Sequence, residues 1–272
     1  MPELPDLDAI AEFLQPRLLG QTLTAFEMPR PIVFRDLTGA GSQATLVGRR
    51  LAAVRRRAKF LVFEFGEGRL LAINPMLAGE LHYCDPDARR LARTYLILRW
   101  SSGKELRYVD PRSMGKIYLT RRLEDIPTLL ETGPEPLSDE LTLDLFRQRL
   151  RQHHGEIKGI LVNHRFVAGI GNAYADEILF RAGLYPFRRR TTLSEQEIAT
   201  LYRAMRDVLI EARETVRQRM GEEIQTKIRD FLAVHRRGGS PCPCCGTIIS
   251  EITAHQRITS FCRHCQPGTL VR

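Results

Sequence analysis

The chain has 272 residues, of which 43% are hydrophobic and 27% charged, which excludes a disordered chain and allows one large domain or two ordinary ones. Its net charge of +9 is concentrated at residues 55–59, 188–190 and 236–237, which suggests a polyanionic partner, and the charge by itself leaves a solvated basic surface equally open. No apolar run is long enough to span a bilayer and the start does not resemble a secretory signal, so we expect a cytoplasmic protein without a membrane partner.

The first predicted element is a helix over residues 3–19, where apolar residues recur at helical spacing. Pro16 interrupts the pattern and predicts a kink or an early end, and Gly20 marks a stop. Residues 22–120 change to short strand-like runs, with strands predicted over 60–65, 70–73, 94–100, 106–109 and 116–119. Consecutive strands without intervening helices predict a sandwich or barrel-like β domain.

A proline-rich segment over residues 126–139 predicts a linker between domains. Helical periodicity follows it, and predicts four helices over residues 141–151, 157–163, 173–181 and 194–215. The predicted organisation is an α+β chain of two domains. A β domain over 1–125 is joined by the linker to a helical module over 140–235, and a cysteine-rich hairpin over 236–272 ends the chain.

Four of the six cysteines form two C-x2-C pairs, Cys242 with Cys245 and Cys262 with Cys265, with sixteen residues between the pairs. In a chain expected to be cytosolic, this spacing favours a tetrahedral thiolate site for zinc over a disulfide framework. Four thiolates leave no open coordination position for water, so one structural Zn²⁺ is expected. Cys244 lies beside the ligands and is not expected to be one of them.

The second and third predicted helices of the helical module are joined through a glycine-containing motif, FVAGIGNAYADE, at residues 166–177. Gly169 and Gly171 permit a tight turn, and Asn172 is expected to cap the next helix, whose backbone amides would face a phosphate. A dinucleotide-binding loop is excluded, because position 174 is tyrosine rather than the third glycine and a helix precedes the turn. A helix hairpin without a ligand remains open at this point.

Five motifs together resemble the formamidopyrimidine-DNA glycosylase and endonuclease VIII family, in the family's order. They are the PELP start, RRAKF at residues 56–60, DPR at 110–112, VAGIGNAYADE at 167–177, and the four-cysteine hairpin with RITSFC at 257–262. The resemblance covers residues 2–266 and identifies the chain as a divergent member. It implies an N-terminal β-sandwich with flanking helices, followed by a helix-two-turn-helix module and a zinc hairpin.

The resemblance implies a base excision repair enzyme that excises oxidised bases from double-stranded DNA and nicks the abasic strand by β/δ-elimination. After removal of Met1, Pro2 would present a secondary amine that forms a Schiff base at C1′ of the damaged nucleotide. Glu3 would act as general acid and base, and Lys59 would project from a strand to the phosphate beside the lesion. Taken singly, Pro2 and Glu3 could merely open a helix, and Lys59 could be a solvated lysine.

The same resemblance assigns DNA contacts. Leu77, Arg112 and Met114 would fill the gap left by the everted nucleotide, with core packing as the alternative for the two apolar residues. Further contacts, chiefly to phosphates, are expected at Asn74, Lys158, Asn172 and Arg257. Damaged double-stranded DNA is thus the expected partner of a monomer that acts in the cytoplasm, associated with the nucleoid.

The chain departs from the family pattern in segments that concern the damaged base. Asp6 replaces the last glutamate of P-E-L-P-E, residues 74–79 read NPMLAG instead of H-L-G-M-S-G, and residues 110–115 read DPRSMG instead of D-P-R-R-F-G. Residues 214–230 lack the glycine- and threonine-rich pattern that precedes the lesion-capping loop of 8-oxoguanine enzymes. The preferred base therefore stays open among 8-oxoguanine, formamidopyrimidines, oxidised pyrimidines and other lesions.

Two other functions compete with the glycosylase. One is a non-catalytic protein that binds damaged DNA, against which the intact Pro2, Glu3 and Lys59 argue. The other is a metal-dependent nuclease, which is disfavoured because the sequence has no acidic cluster typical of a Mg²⁺ site and its zinc site would be closed.

Overall fold

A computed structural model describes residues 1–39, 45–254 and 257–268. The chain divides into two compact units, residues 1–131 with 213–228, and residues 132–212 with 229–272. The boundary at 131/132 falls inside the segment predicted as a linker. Among the described helices, none has the length and apolar character needed to cross a lipid bilayer.

Within its described residues, the first unit contains helix α1 (Leu4–Leu18), the short helix α2 (Pro127–Leu130) and nine strands. The strands are β1 (Leu23–Glu27), β2 (Phe34–Asp36), β3 (Leu51–Arg57), β4 (Phe60–Phe65), β5 (Arg69–Asn74), β6 (Glu80–Cys84), β7 (Thr94–Trp100), β8 (Glu105–Val109) and β9 (Lys116–Thr120). They form a four-stranded sheet of order β1-β7-β8-β6 and a five-stranded sheet of order β2-β9-β5-β4-β3. All paired strands are antiparallel except β2 and β9.

The two sheets pack against each other. Phe65 on β4 and Trp100 on β7 belong to different sheets, and their rings stack with centroids 6.1 Å apart. Side chains that alternate along each strand can bury one face of each sheet in such an arrangement. The five predicted strands correspond to β4, β5, β7, β8 and β9, and the predicted β-sandwich is confirmed.

Helix α1 buries the apolar face that the sequence indicates. Leu7, Leu14 and Leu18 are fully buried. The helix continues through Pro16 and ends at Leu18, so the predicted early end at the proline is wrong. A proline removes one backbone donor, and in the last turn of a helix this loss affects few further residues.

The second unit contains α3 (Leu143–Arg151), α4 (Ile157–Leu161), α5 (Asn172–Arg181) and most of α6 (Glu195–Met220), which is longer than predicted. Its core includes edge-to-face contacts of Phe146 with Phe166 and Tyr202, at centroid distances of 5.1 and 5.4 Å. Strands β10 (Ser250–Ala254) and β11 (Arg257–Phe261) pair antiparallel as a hairpin. The helices and this hairpin are the elements that position the second set of candidate site residues.

Candidate functional site

The first turn of α1 is held by a reciprocal pair of hydrogen bonds between Glu3 and Asp6. The backbone N–H of Glu3 donates to Asp6 Oδ2 at 2.7 Å, and the Glu3 carboxylate accepts from the backbone N–H of Asp6. This capping box satisfies N–H groups that the helix cannot pair internally. Both residues are buried, with 4% and 6% of their surface exposed. Although Asp6 is one methylene shorter than glutamate, it reaches the backbone of Glu3.

Pro2 and Asp6 lie in the wall of a small cavity with a volume of ≈ 20 Å³. The wall also includes Gly79, from residues 74–79, and Lys227, from the segment that follows α6. A cavity of this size has room for about one water molecule. The structure therefore brings the predicted nucleophile together with the segment that carries Asn74 and Leu77.

The turn after β5 separates a buried polar residue from an exposed apolar one. Asn74 is 8% exposed, and its Oδ1 accepts a hydrogen bond from the backbone N–H of Met76 at 3.0 Å. Met76 has a left-handed backbone conformation, with φ of 53°. Leu77, the next residue, is 45% exposed. Asn74 thus shapes the turn, and Leu77 is presented at the surface.

Residues 110–115 are organised around the fully buried carboxylate of Asp110. It accepts hydrogen bonds from the backbone N–H groups of Arg112 at 3.0 Å, Met114 at 2.7 Å and Gly115 at 2.7 Å. The side chain of Arg112 is exposed, and Met114 is 41% exposed. Because Met114 and Leu77 both lie at the surface, the alternative that they are core residues is excluded.

Tyr108 on β8 lies between these two loops. Its hydroxyl oxygen is 3.3 Å from Asp110 Oδ2 and 3.4 Å from the carbonyl oxygen of Pro75. A Cβ atom on Gly79 would lie 2.2 Å from this hydroxyl oxygen, and one on Gly115 only 1.8 Å from it. Burial, followed by the nearby Asp110 carboxylate, raises the pKa of Tyr108 far above its ordinary value. The phenol therefore keeps its proton and acts as a donor.

Lys59 lies in the two-residue turn between β3 and β4, and not on a strand as predicted. Arg57 and Phe60 pair across this turn, and Ala58 has a φ of 54°. Tight hairpin turns require a positive φ, which alanine adopts at a cost of about 1–2 kcal/mol. The turn places the half-buried Lys59 at the end of the hairpin.

The glycine-containing loop before α5 has Gly169 in the left-handed region, with φ of 78°, as expected for a tight turn. Helix α5 is capped by Gly171 and begins at Asn172, so the predicted capping by Asn172 is wrong. Gly171, which has no side chain, takes the extended conformation of the cap, and Asn172 occupies the first helical position instead. Its Nδ2 donates to the carbonyl oxygen of Ile258 on β11 at 2.6 Å.

Lys158 on α4 is only 5% exposed. Its Nζ lies 2.6 Å from Asp176 Oδ1, and it donates to Ile258 O and to Thr259 Oγ1, each at 2.8 Å. An ammonium group has three donors, and these three partners account for them. The geometry favours a role in holding β11, which begins with the exposed Arg257, over a direct phosphate contact by Lys158.

Two adjacent acids on α5 hold the chain that leads into the hairpin. Asp176 is fully buried, and its Oδ2 lies 2.7 Å from His235 Nδ1 and 3.3 Å from the backbone nitrogen of Ser260. The Glu177 carboxylate accepts hydrogen bonds of 2.8–2.9 Å from three consecutive backbone N–H groups, those of residues 233–235. Both acids belong to the motif at residues 166–177, but the sequence did not indicate this anchoring role.

The four cysteines of the two C-x2-C pairs converge. Their Sγ atoms all lie within 4.8 Å of one another, with Cys242 to Cys265 at 3.8 Å and Cys245 to Cys262 at 3.5 Å. A tetrahedral zinc ion with Zn–S bonds of about 2.3 Å requires sulfur atoms about 3.8 Å apart. The thiols thus fit one Zn²⁺, and Cys244 is exposed beside them.

Three family models match consecutive parts of the chain. They describe the formamidopyrimidine-DNA glycosylase N-terminal domain at residues 1–117, the formamidopyrimidine-DNA glycosylase H2TH domain at 132–223, and a zinc finger found in FPG and IleRS at 239–268. A formamidopyrimidine-DNA glycosylase of Pelotomaculum thermopropionicum is 38% identical over 276 residues, which cover 98% of this chain and 99% of that protein. The chain belongs to the formamidopyrimidine-DNA glycosylase family.

Solved structures of the family share the fold. The crystal structure of MutM (Fpg) from Thermus thermophilus has a TM-score of 0.86 and 35% identity, covering 98% of this chain and 100% of that one. The Lactococcus lactis Fpg in complex with DNA containing an abasic site has a TM-score of 0.88 and 30% identity, with the same coverage. The predicted two-domain α+β fold and the zinc finger with one structural zinc ion are confirmed.

In this family member, the predicted site residues fall into two groups. In the first unit, Pro2 shares a cavity wall with residues 74–79, and Tyr108 connects these residues to 110–115. In the second unit, Lys158 and Asn172 both contact β11. Sequence reasoning missed Tyr108, although one signal was available: the motifs NPMLAG and DPRSMG both end in a glycine.

Proposed function

We propose that this chain is a DNA glycosylase of base excision repair that excises oxidised bases from double-stranded DNA and then cleaves the abasic strand. The observation that carries the proposal is the position of Pro2 in a cavity wall, beside a Glu3 whose orientation is set by the capping box. The 37% identical formamidopyrimidine-DNA glycosylase of Thermus thermophilus and the Lactococcus lactis Fpg complex with abasic DNA support this activity.

The nucleophile in this proposal is the nitrogen of Pro2, which requires removal of Met1. An α-amino group has a pKa near 8, so a fraction is unprotonated at neutral pH. Its lone pair attacks C1′, the glycosidic bond breaks, and the base leaves with the bonding electrons and takes up a proton. The sugar ring opens, and the resulting iminium acidifies the C2′ proton. Loss of that proton expels the 3′-phosphate, a second elimination expels the 5′-phosphate, and water releases the proline.

Glu3 carries the protons of this sequence, to the ring oxygen when the sugar opens and from C2′ before elimination. Its carboxylate already accepts a backbone hydrogen bond from Asp6, so little reorganisation is needed when the sugar arrives. Lys59, at the tip of the β3–β4 turn, would contact the phosphate beside the lesion through its positive charge. Asn74, buried below its turn, would support the segment that reaches the everted nucleotide.

Eversion leaves a gap in the duplex, and three exposed side chains are suited to fill it. Leu77 and Met114 provide apolar surface, and Arg112 provides donors for the unpaired base opposite. Asn172 and Arg257 would contact phosphates, while Lys158 fixes the hairpin on which Arg257 lies. These contacts would hold a damaged duplex while the base is excised.

The preferred base depends on the segment that closes the cavity beside Pro2. Room for about one water molecule is too small for a nucleobase, so a base can enter only if part of the wall moves. Glu80, Gln225 and Lys227 lie in that wall and could contact the base through hydrogen bonds. Excision assays across oxidised purines and pyrimidines measure the preference directly.

Borohydride trapping on duplexes with an abasic site tests the mechanism. The wild-type chain is expected to form a covalent adduct that maps to Pro2 by peptide mass, and the intact mass shows whether Met1 is absent. Pro2→Gly replaces the secondary amine that acts as nucleophile and should therefore change the yield of the adduct. Glu3→Gln should slow the formation of the adduct. Pro5→Ala is the matched control, because Pro5 lies in the same helical turn but has no role in the chemistry.

Three outcomes contradict the proposal. Tight binding of damaged duplex without any adduct favours a non-catalytic binding protein. Cleavage that EDTA abolishes, again without an adduct, favours a metal-dependent nuclease. An adduct that maps to a lysine and survives in Pro2→Gly removes Pro2 from the mechanism.

A further inference from the structure

We propose that Tyr108 is a positioning residue for base eversion, because it couples the loop that carries Leu77 to the loop that carries Arg112 and Met114. The inference rests on the proposed function, in which these side chains enter the duplex. Tyr108 itself is fully buried and would not contact DNA.

The coupling passes through a single hydroxyl group. It lies 3.4 Å from the carbonyl oxygen of Pro75 in the first loop and 3.3 Å from Asp110 Oδ2 in the second. Both distances are long for an O–H···O bond, as expected when one proton is shared between two acceptors. The same Asp110 oxygen accepts from the backbone N–H groups of Met114 and Gly115, each at 2.7 Å. A displacement of the phenol therefore affects both loops.

Two glycines make room for this arrangement. Gly79 and Gly115 end their respective loops, and a Cβ atom on either would lie within 2.2 Å of the tyrosine oxygen. Neither glycine is required by a positive φ, since both are absent from the residues of that conformation. At Gly115 the three nearest atoms are all from the tyrosine ring and hydroxyl, whereas at Gly79 the carbonyl oxygen of Pro75, 2.3 Å from such a Cβ atom, excludes a side chain together with the phenol.

The loops themselves are strained and need such support. Met76 and Ser113, one in each loop, have φ values of 53° and 56°. Residues other than glycine keep this conformation only when their surroundings enforce it. Two independently mobile loops would each lose conformational entropy when their side chains enter the gap. Loops joined through Tyr108 are ordered together before DNA binds.

The test compares Tyr108→Phe with Tyr95→Phe, because the hydroxyl of Tyr95 bonds Ser113 Oγ in the second loop and, among the described residues, no group of the first loop. Eversion is followed in stopped flow with a fluorescent base analogue next to the lesion. Tyr108→Phe should slow eversion about tenfold, the factor expected when one hydrogen bond is lost. Adduct formation on a single-stranded abasic oligonucleotide, which needs no eversion, should be unchanged. Tyr95→Phe should slow eversion less.

If the hydroxyl had a purely structural role, Tyr108→Phe would lower the rates on duplex and on single-stranded DNA in parallel. That result overturns the inference. Equal eversion rates in the wild type and Tyr108→Phe, or a larger effect of Tyr95→Phe, overturn it as well. Fluorescence reports eversion without strand cleavage. A wild-type chain that everts the base but forms no adduct therefore contradicts the proposed lyase and still permits the comparison of the two variants.

Discussion

At the first turn of α1, helix capping and the proposed chemistry use the same two carboxylates. The backbone N–H of Glu3 donates to Asp6, and the Glu3 side chain accepts from the backbone of Asp6. A proton carrier next to a nucleophile must be held within a fraction of an ångström. The capping box supplies this restraint, so stability and adduct formation should change together at position 6.

Asp6→Ala tests this link. We expect a loss of about 1 kcal/mol in the free energy of unfolding, the usual cost of removing a capping side chain, measured by urea denaturation. Adduct formation on an abasic duplex should slow in the same variant, because the backbone of Glu3 loses its hydrogen bond. Asp6→Glu is the control and should preserve both quantities. Unchanged stability in Asp6→Ala would show that the capping box is not needed.

At the level of elements, the β10–β11 hairpin is positioned by the two helices that flank the glycine turn. Lys158 on α4 and Asn172 on α5 both donate to the carbonyl oxygen of Ile258. The residue before it, Arg257, is exposed and begins β11. The helices thus fix the backbone from which Arg257 extends, and only Arg257 of these cations is at the surface.

The salt dependence of duplex binding separates the two cations. A phosphate contact contributes about 0.9 to the slope of log K against log salt concentration. Arg257→Ala should therefore reduce the slope by about 1. Lys158→Met should weaken binding because the hairpin is no longer held, and in an Arg257→Ala background it should leave the slope unchanged. A further reduction of the slope by about 1 in the double variant would identify Lys158 as a phosphate ligand after all.

The zinc finger depends on its metal because an isolated two-stranded hairpin is only marginally stable, and metal binding supplies the missing folding free energy. The buried cysteines, Cys242 and Cys262, pack with Val234 and Ile249 in a small apolar cluster. This cluster is too small to hold a hairpin without further support. The four thiolates would supply it by binding zinc, and in this way would keep Arg257 in place.

Cysteine variants measure the contribution of zinc. Cys265→Ser should lose the zinc, by inductively coupled plasma mass spectrometry, and lose most of its affinity for duplex DNA. Cys244→Ser should retain one zinc per chain and wild-type affinity, because this exposed thiol lies outside the cluster. Zinc retained in Cys265→Ser together with tight binding would contradict a structural role.

At the scale of the whole molecule, much of the basic charge is already paired within the protein. Arg188 bonds the Glu197 carboxylate, Arg56 lies 2.5 Å from Asp8, and Arg55 pairs with Glu64. All three basic clusters contribute side chains to folding contacts, since Arg237 donates to the carbonyl oxygens of Leu232 and Asp230. Each such pair removes one cation and one carboxylate together, so the net charge stays at +9 while fewer guanidinium groups are available for phosphates.

The salt slope of the wild-type chain tests this view. Nine phosphate contacts would give a slope of about −8, whereas we expect a shallower slope because the paired arginines stay with their carboxylates. The measurement is equilibrium binding to an abasic duplex between low and physiological salt, by fluorescence anisotropy. Glu197→Gln should make the slope steeper by releasing Arg188. A wild-type slope of about −8 or steeper would contradict this expectation.

What the sequence determined by itself is local. The strands β4 and β7, the apolar face of α1 and the cysteine pairs follow from side-chain periodicity and spacing within a few residues. The motifs also sufficed to identify the family and to predict the residues of its chemistry. These features depend on neighbours along the chain, so they can be predicted without knowledge of the tertiary structure.

Only the tertiary structure decided which residues share a site and which face solvent. Tyr108 meets a carbonyl 33 positions away, and Lys158 meets a hydroxyl 101 positions away. No periodicity records such contacts, so the bridging tyrosine was missed and the burial of the lysine was not foreseen. Spacing along the chain encodes secondary structure and metal ligation, whereas burial depends on packing between distant segments.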